Sequence, residues 1–222
     1  MNPLLLSGAH LVARPSGALF WPEVGLLCVS DLHLGKSERT ARRGGGLLPP
    51  YDTRDTLARL EREINALAPR TVVCLGDSFD DLAAGLSLPE DERLWLIRLM
   101  AGRDWVWIEG NHDPGPLNLG GRHLAALRLG PLVFRHIATA ERGEVSGHYH
   151  PKFSISLGGR QVTRPCFLAD DARVILPAFG SYTGGLRASD PVLQALMGPG
   201  AMAILTGPQT HPLPMRARAR AR

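Results

Sequence analysis

Five short motifs concentrate the residue types that bind metals and move protons. In chain order they are Asp31-Leu32-His33, Gly76-Asp77-Ser78-Phe79-Asp80, Gly110-Asn111-His112-Asp113, a lone His136, and Gly147-His148-Tyr149-His150. Carboxylate oxygens, an amide and imidazole nitrogens together suit borderline divalent metals such as manganese, iron or zinc, rather than calcium. Seven side chains (Asp31, His33, Asp77, Asn111, His136, His148 and His150) are enough donors for two ions. Two ions roughly 3.5–4 Å apart can clamp an in-line displacement at phosphorus. Each motif alone is weak, because Asp-X-His and Gly-Asp are ordinary turn sequences. Their order, each after an apolar run, makes coincidence remote.

Those apolar runs are the elements that must position the site. Residues 25–30, Thr71–Leu75, 105–109, Leu132–Arg135 and 144–147 read as buried strands. Polar residues at their C-terminal ends lie where open α/β sheets bind ligands. In an extended chain, alternation predicts that the outer residues of Asp-X-His and of His-X-His face the same way. Glycines before Asp77, Asn111 and His148 predict tight turns with close backbone approach. An amphipathic helix follows Asp52, the expected N-cap, through Leu57, Leu60, Ile64 and Leu67, and ends before Pro69. A second starts near Pro89 with Glu90, Asp91 and Glu92 in its first turn and Leu94, Trp95, Ile97 and Leu99 as its apolar residues. Residues 36–43 read as a short polar helix carrying Arg39, Arg42 and Arg43, and glycines 44–46 with Pro49 and Pro50 make a break. Short strands at 4–6, 11–13 and 18–20 precede this half, and strands at 153–157, 166–168 and 173–176 continue the second half without long helices. The pattern predicts an α/β protein in which two sheets form a β-sandwich flanked by helices. One domain is expected over residues 1–209, followed by a basic, flexible tail over 210–222.

Composition narrows the function classes. A chain of 222 residues buries roughly 70% of its unfolded surface, and 44% hydrophobic with 21% charged residues is an ordinary globular balance. Apolar runs fall short of the ~20 residues of a membrane span, and the N-terminus lacks a basic leader region, so no membrane partner and a cytoplasmic location are expected. Cys28, Cys74 and Cys166 sit in apolar stretches without a CxxC pair and read as free core thiols. The net charge of +4 is carried by Arg216, Arg218, Arg220 and Arg222, so the body is balanced; the tail either touches phosphates or is a solvated end. Ser7, Ser30 and Ser181 have no matched base, which leaves a nucleophilic serine unsupported. Trp95, Trp105 and Trp107 read as core, His123 as structural, and Tyr149 as pointing away from the metals.

The motif order resembles that of the calcineurin-like metallophosphoesterase superfamily. The resemblance implies that Asp31, His33, Asp77 and His150 hold one metal and that Asp77, as a bridge, holds the second with Asn111, His136 and His148. It further implies that His112 contacts the scissile phosphate and assists the leaving group, with Asp113 orienting its ring. More closely, the chain resembles the PdeM family of ligase-associated DNA damage response endonucleases. The likeness lies in Asp31-Leu32-His33-Leu34-Gly35-Lys36, in Gly-Gly-Leu-Leu-Pro at 45–49, in His148-Tyr149-His150-Pro151, and in the run Leu176-Pro-Ala-Phe-Gly-Ser-Tyr-Thr-Gly-Gly185. This implies a manganese-dependent phosphodiesterase acting as a DNA endonuclease in repair, with a hydroxide shared by the two metals as nucleophile. It also implies functional association with an ATP-dependent DNA ligase, a helicase and an exonuclease.

One position departs from that family, which usually carries His where this chain has Asp80. An ionised carboxylate accepts hydrogen bonds but donates none, so Asp80 is expected to brace His112 or a metal-ligating histidine. That change loosens the expectation of diester over monoester preference. Arg39, Arg42 and Arg43 either line a groove for a nucleic-acid backbone or form a solvated helix face. Two competing readings are a small-molecule or lipid-nucleotide phosphohydrolase at the same site and a non-catalytic binding protein on this fold. The complete donor set and His112 argue against the second.

Overall fold

The computed structural model describes residues 2–46, 48–113, 115 and 119–216. The first apolar stretches form β1 (Asn2–Leu6), β2 (Ala9–Ala13), β3 (Leu19–Trp21) and β4 (Leu26–Val29). The chain then runs through α1 (Lys36–Arg42) and α2 (Asp52–Leu67) to β5 (Thr71–Leu75), and through α3 (Leu82–Leu86) and α4 (Glu90–Met100) to β6 (Asp104–Ile108) and β7 (Arg122–Leu124). These seven strands form one sheet in sequence order, antiparallel from β1 to β4 and parallel from β4 to β7.

The second sheet is built from β8 (Ala126–Leu129), β9 (Leu132–Arg135), β10 (Glu144–Ser146), β11 (Lys152–Leu157), β12 (Arg160–Ala169) and β13 (Arg173–Ile175). After α5 (Pro191–Leu196) it is completed by β14 (Met202–Leu205) and β15 (His211–Pro214). Its order is β15-β14-β12-β13-β10-β9-β8, with β11 paired to β12, and β9, β10 and β13 run parallel. The α/β sandwich expected from the pattern is the observed architecture.

Strands buried on both faces explain why the apolar runs are continuous. In β5, Val73 and Leu75 point into the layer between the sheets, against Phe134, Val145, Phe167 and Val174. Their neighbours Val72 and Cys74 point the other way, under Leu57, Leu60 and Ile64 of α2 and Leu96 and Leu99 of α4. Each such fully buried aliphatic side chain contributes about 1.5–3 kcal/mol. On the far face of the second sheet, Leu193 of α5 and Met197 cover Cys166, Leu168, Ile175 and Ala203. The three cysteines are free and buried, Trp105 and Trp107 are core residues, and no helix among the described residues is long and apolar enough to cross a membrane.

Several expectations are corrected. Asp52 is not the N-cap of α2: Tyr51 holds that position without a side-chain bond, and the Asp52 carboxylate accepts from Ser37 N and Oγ, tying α1 to α2. In α4 the buried face is Glu92, Leu96, Leu99 and Met100, while Leu94 is 51% exposed. Residues 184–200, which carry little pattern, contain α5, whose start is capped by Asp190 accepting from Val192 N at 2.9 Å. The boundary expected at 209 also moves. β15 pairs with β14, Met215 is buried, and an Arg216 amine donates to the carbonyls of Gln194 and Met197 at 2.6 and 3.0 Å. Arg218, Arg220 and Arg222 lie outside the described residues.

Candidate metal centre

The C-terminal ends of β4, β5, β6, β9 and β10 converge at one end of the sandwich, and each delivers one motif. Extended alternation does not aim them. Asp31 and His33 lie beyond the end of β4, and both have left-handed backbone, with φ 52° and 45°. Asp77, His148 and His150 do as well, at φ 46°, 71° and 46°. A non-glycine residue at positive φ is uncommon and costs of the order of 1–3 kcal/mol. Five of the seven expected ligands carry that strain, so successive left-handed turns, not a pleat, bring the paired side chains together. The expected close approach of backbone at the glycines is present. A Cβ at Gly76 would overlap the His136 ring, and one at Gly147 would overlap Ser30 Oγ.

Three groups of donors result: Asp31, His33 and His150; Asp77, His136 and His148; and, sharing His33 with the first, His33, Asp80 and His112, with ligand atoms within 4.8 Å of one another in each. His33 Nε2 and His150 Nε2 stand 3.4 Å apart, and His136 Nε2 and His148 Nδ1 stand 3.2 Å apart. Asn111 Oδ1 lies 2.9 Å from His136 Nε2. His136 Nδ1 lies 2.8 Å from the Leu75 carbonyl, which fixes the proton on that nitrogen and leaves a lone pair on Nε2. The Asp31 carboxylate accepts at Oδ2 from Ser30 Oγ and His148 N, while its buried Oδ1 has no hydrogen-bond partner and faces His150 Nε2 at 3.1 Å. Imidazole lone pairs facing each other beside an orphaned carboxylate oxygen repel unless a cation lies among them, so the donors fit divalent metal ions.

Electrostatics agree with that fit. Burial would raise the Asp77 carboxyl, but His136 and the His112 N–H outweigh it and bring it down to about 2. Asp31, fully buried, is likewise held below its ordinary value by His150, His136 and Ser30. Burial lowers the His148 imidazole, helped by the neighbouring His136. Burial would lower the His136 imidazole, but Asp77 and Asp31 outweigh it and raise it. The site thus keeps two carboxylates ionised, as ligation requires, with a cation-seeking field around His136.

The remaining motif residues lie around this core. His33 Nδ1 lies 2.9 Å from Asp80 Oδ1, and His112 Nδ1 lies 2.8 Å from the Asp80 carbonyl. Asp80 therefore contacts both histidines, one through its side chain and one through its backbone. Asp113 does not orient His112: its Oδ2 accepts from Ser78 N and Phe79 N at 2.7 and 3.1 Å, bracing the turn after β5. Burial pushes the Asp113 carboxyl up to about 6, and its Oδ1 has no hydrogen-bond partner. Arg39 pairs with Asp80 at 2.8 Å, Arg42 with Asp81 at 2.9 Å, and Arg43 approaches Asp81 at 3.6 Å. Asp80 and Asp81 thus engage Arg39 and Arg42, while Arg43 stays 61% exposed. Tyr149 packs partly buried on the third apolar cluster and sets its ring edge-on to that of His148, 5.0 Å between centroids. Sequence reasoning missed the role of Ser30, whose hydroxyl donates to Asp31; its place directly before Asp31 was the only available signal.

Residues 25–176 match the calcineurin-like phosphoesterase family. The chain belongs to that family. Its members use divalent metals, and the matched segment runs from the start of β4 to the end of β13, so all five motifs fall inside it. A protein of solved structure, the nuclease MPE of Pseudomonas putida, is 29% identical. The likeness covers 96% of this chain and 99% of that one at a TM-score of 0.75. No curated protein sequence matches. The chain is thus a metal-dependent phosphoesterase with a nuclease as a structural relative.

Proposed function

We propose that the protein is a two-metal phosphodiesterase that cuts DNA, with manganese as the preferred ion. The observation that carries this reading is the pair of donor groups, Asp31–His33–His150 and Asp77–His136–His148, set side by side with His112 at their edge. Bound divalent ions supply an acidified water and neutralise charge on the phosphate. By the family resemblance Asp77 would serve both ions; its Oδ2 faces His136 at 3.4 Å and its Oδ1 accepts from His112 N at 2.8 Å. His112 is 31% exposed at its side chain, and with Nδ1 on the Asp80 carbonyl its Nε2 is the atom free to meet the phosphate and protonate the leaving oxygen. Asn111, exposed beside His136, is placed to contact a phosphate oxygen or complete a metal's ligands.

The substrate class follows from the likeness to the nuclease MPE and to the ligase-associated endonucleases. The latter also supports a role in DNA repair beside an ATP-dependent ligase, a helicase and an exonuclease. Three buried free thiols fit a reducing, cytoplasmic setting. The test is turnover of bis-p-nitrophenyl phosphate, p-nitrophenyl phosphate and a single-stranded oligodeoxynucleotide by metal-free protein and after addition of manganese. Manganese-dependent cleavage of the diester and the DNA, faster than of the monoester, is expected. A monoester preference without DNA cleavage would instead support the small-molecule phosphohydrolase.

A further inference from the structure

Arg39 and Arg42 are engaged by Asp80 and Asp81, which leaves room for a further positive surface to hold a phosphate backbone that enters the metal centre. A second cleft of about 630 Å³ provides one. Its charged lining is Arg14, Arg59, Arg62 and Arg164 with a single acid, Glu63, which pairs with Arg14 at 2.8 Å. Arg59 is partly compensated, binding Asp55 at 3.1 Å and Ser181 Oγ at 3.0 Å while its guanidinium lies over the Phe179 ring. Arg62 donates only to the Ala58 carbonyl, at 3.3 Å, and Arg164 has no ion pair or side-chain hydrogen bond among the described residues. Both are exposed. The cleft therefore carries excess positive charge at Arg62 and Arg164, which pair with no acid among the described residues.

Its position ties it to the metal centre. The cleft is floored by Pro177, Ala178, Gly180 and Thr183, from the segment that follows β13. That same segment holds the first motif from behind: Phe179 N donates to the Ser30 carbonyl at 2.7 Å and Gly180 N to the Asp31 carbonyl at 3.0 Å. Further along, Leu186 N donates to the Tyr149 carbonyl at 3.0 Å, between the two histidines of the last motif. One strip of backbone thus has the donor groups on one side and the arginine cleft on the other.

We infer that this cleft binds the phosphodiester backbone of single-stranded DNA on one flank of the scissile phosphate. The inference rests on the proposed nuclease reading and adds to it a substrate-holding surface. It makes length matter: a small diester reaches only the metal centre, whereas an oligonucleotide also releases counterions at Arg62 and Arg164. The experiment compares the parent with the Arg62→Glu/Arg164→Glu double variant in the manganese-loaded full chain. Turnover of bis-p-nitrophenyl phosphate should be unchanged, which also reports an intact fold and centre. For single-stranded oligodeoxynucleotides of increasing length, KM should rise on the order of tenfold with kcat little changed, and the salt dependence of binding should lose about 1–2 units of slope. Equal KM and equal slope in parent and variant would overturn the cleft while leaving the nuclease reading intact. A parent that cleaves neither diester nor DNA would overturn the nuclease reading, and anisotropy of labelled oligonucleotide on parent and variant would still decide the cleft. Should the reversed charges prevent folding, Arg62→Gln/Arg164→Gln serves with the same readouts.

Discussion

At the scale of residues, the centre is organised by which atom of each side chain is already committed. His112 has Nδ1 against the Asp80 carbonyl and clusters with His33 and Asp80, apart from the two groups proposed to hold the metals. Replacing it by alanine should leave bound manganese unchanged by elemental analysis while lowering diester turnover by about 100-fold or more, the usual contribution of a positioned acid. Asp80 acts one step further back, through the His33 ring. Burial would raise its carboxyl, but His33 and Lys36 outweigh it and hold it well below the ordinary range. Asp80→Asn removes that charge, and manganese affinity, read by titration, should fall by roughly 10–100-fold with every ligand still in place. An unchanged affinity would mean that His33 is oriented by packing alone.

At the scale of elements, α1 and α3 are held together chiefly by charge. Asp81 caps α3 by accepting from Ala84 N at 2.7 Å and also takes a two-pronged pair from Arg42 of α1. Burial would raise the Asp81 carboxyl, but the Ala84 N–H and the Arg42 and Arg39 cations together outweigh it, so it titrates below its ordinary value. A depressed acid stabilises the fold above the unfolded value of about 3.9, and that stability is lost as pH falls through the folded value. Asp81→Asn keeps a capping oxygen and removes the charge. Its melting temperature should therefore lie below the parent's at neutral pH, and the two curves should converge below about pH 4. A gap that persists in acid would assign the effect to hydrogen-bond geometry instead.

At the scale of the whole molecule, the two sheets share one apolar layer, and the second sheet does not end where the sequence pattern fades. β15 covers the edge of β14, and Met215 seals the third cluster. A chain ending at Gln209 loses both and should melt roughly 5–10 °C lower than the full chain, by the usual cost of emptying a buried methionine site. A chain ending at Arg216 should match the full chain, as calorimetry on the three lengths would establish.

Strands buried on both faces announce themselves as continuous apolar runs, which is why β4, β5, β6, β9 and β10 and the polar motifs after them were legible from residue types alone. Donor chemistry is local, so the candidate ligands and the suitability of a borderline divalent metal could be read the same way. The short edge strands β7, β8 and β15 could not, because their patterning is weak and pairing with a neighbour stabilises them. Nor could the left-handed turns at Asp31, His33, Asp77, His148 and His150, since strained backbone persists only where surrounding packing over-determines it. The assignment of Asp80 to His33, of Asp113 to the turn after β5, and of Arg39 and Arg42 to acids, like the gathering of Arg14, Arg59, Arg62 and Arg164 around one cleft, joins residues far apart in the chain. Spacing along the sequence carries no information about such partners; only the closing of the sheets decides them.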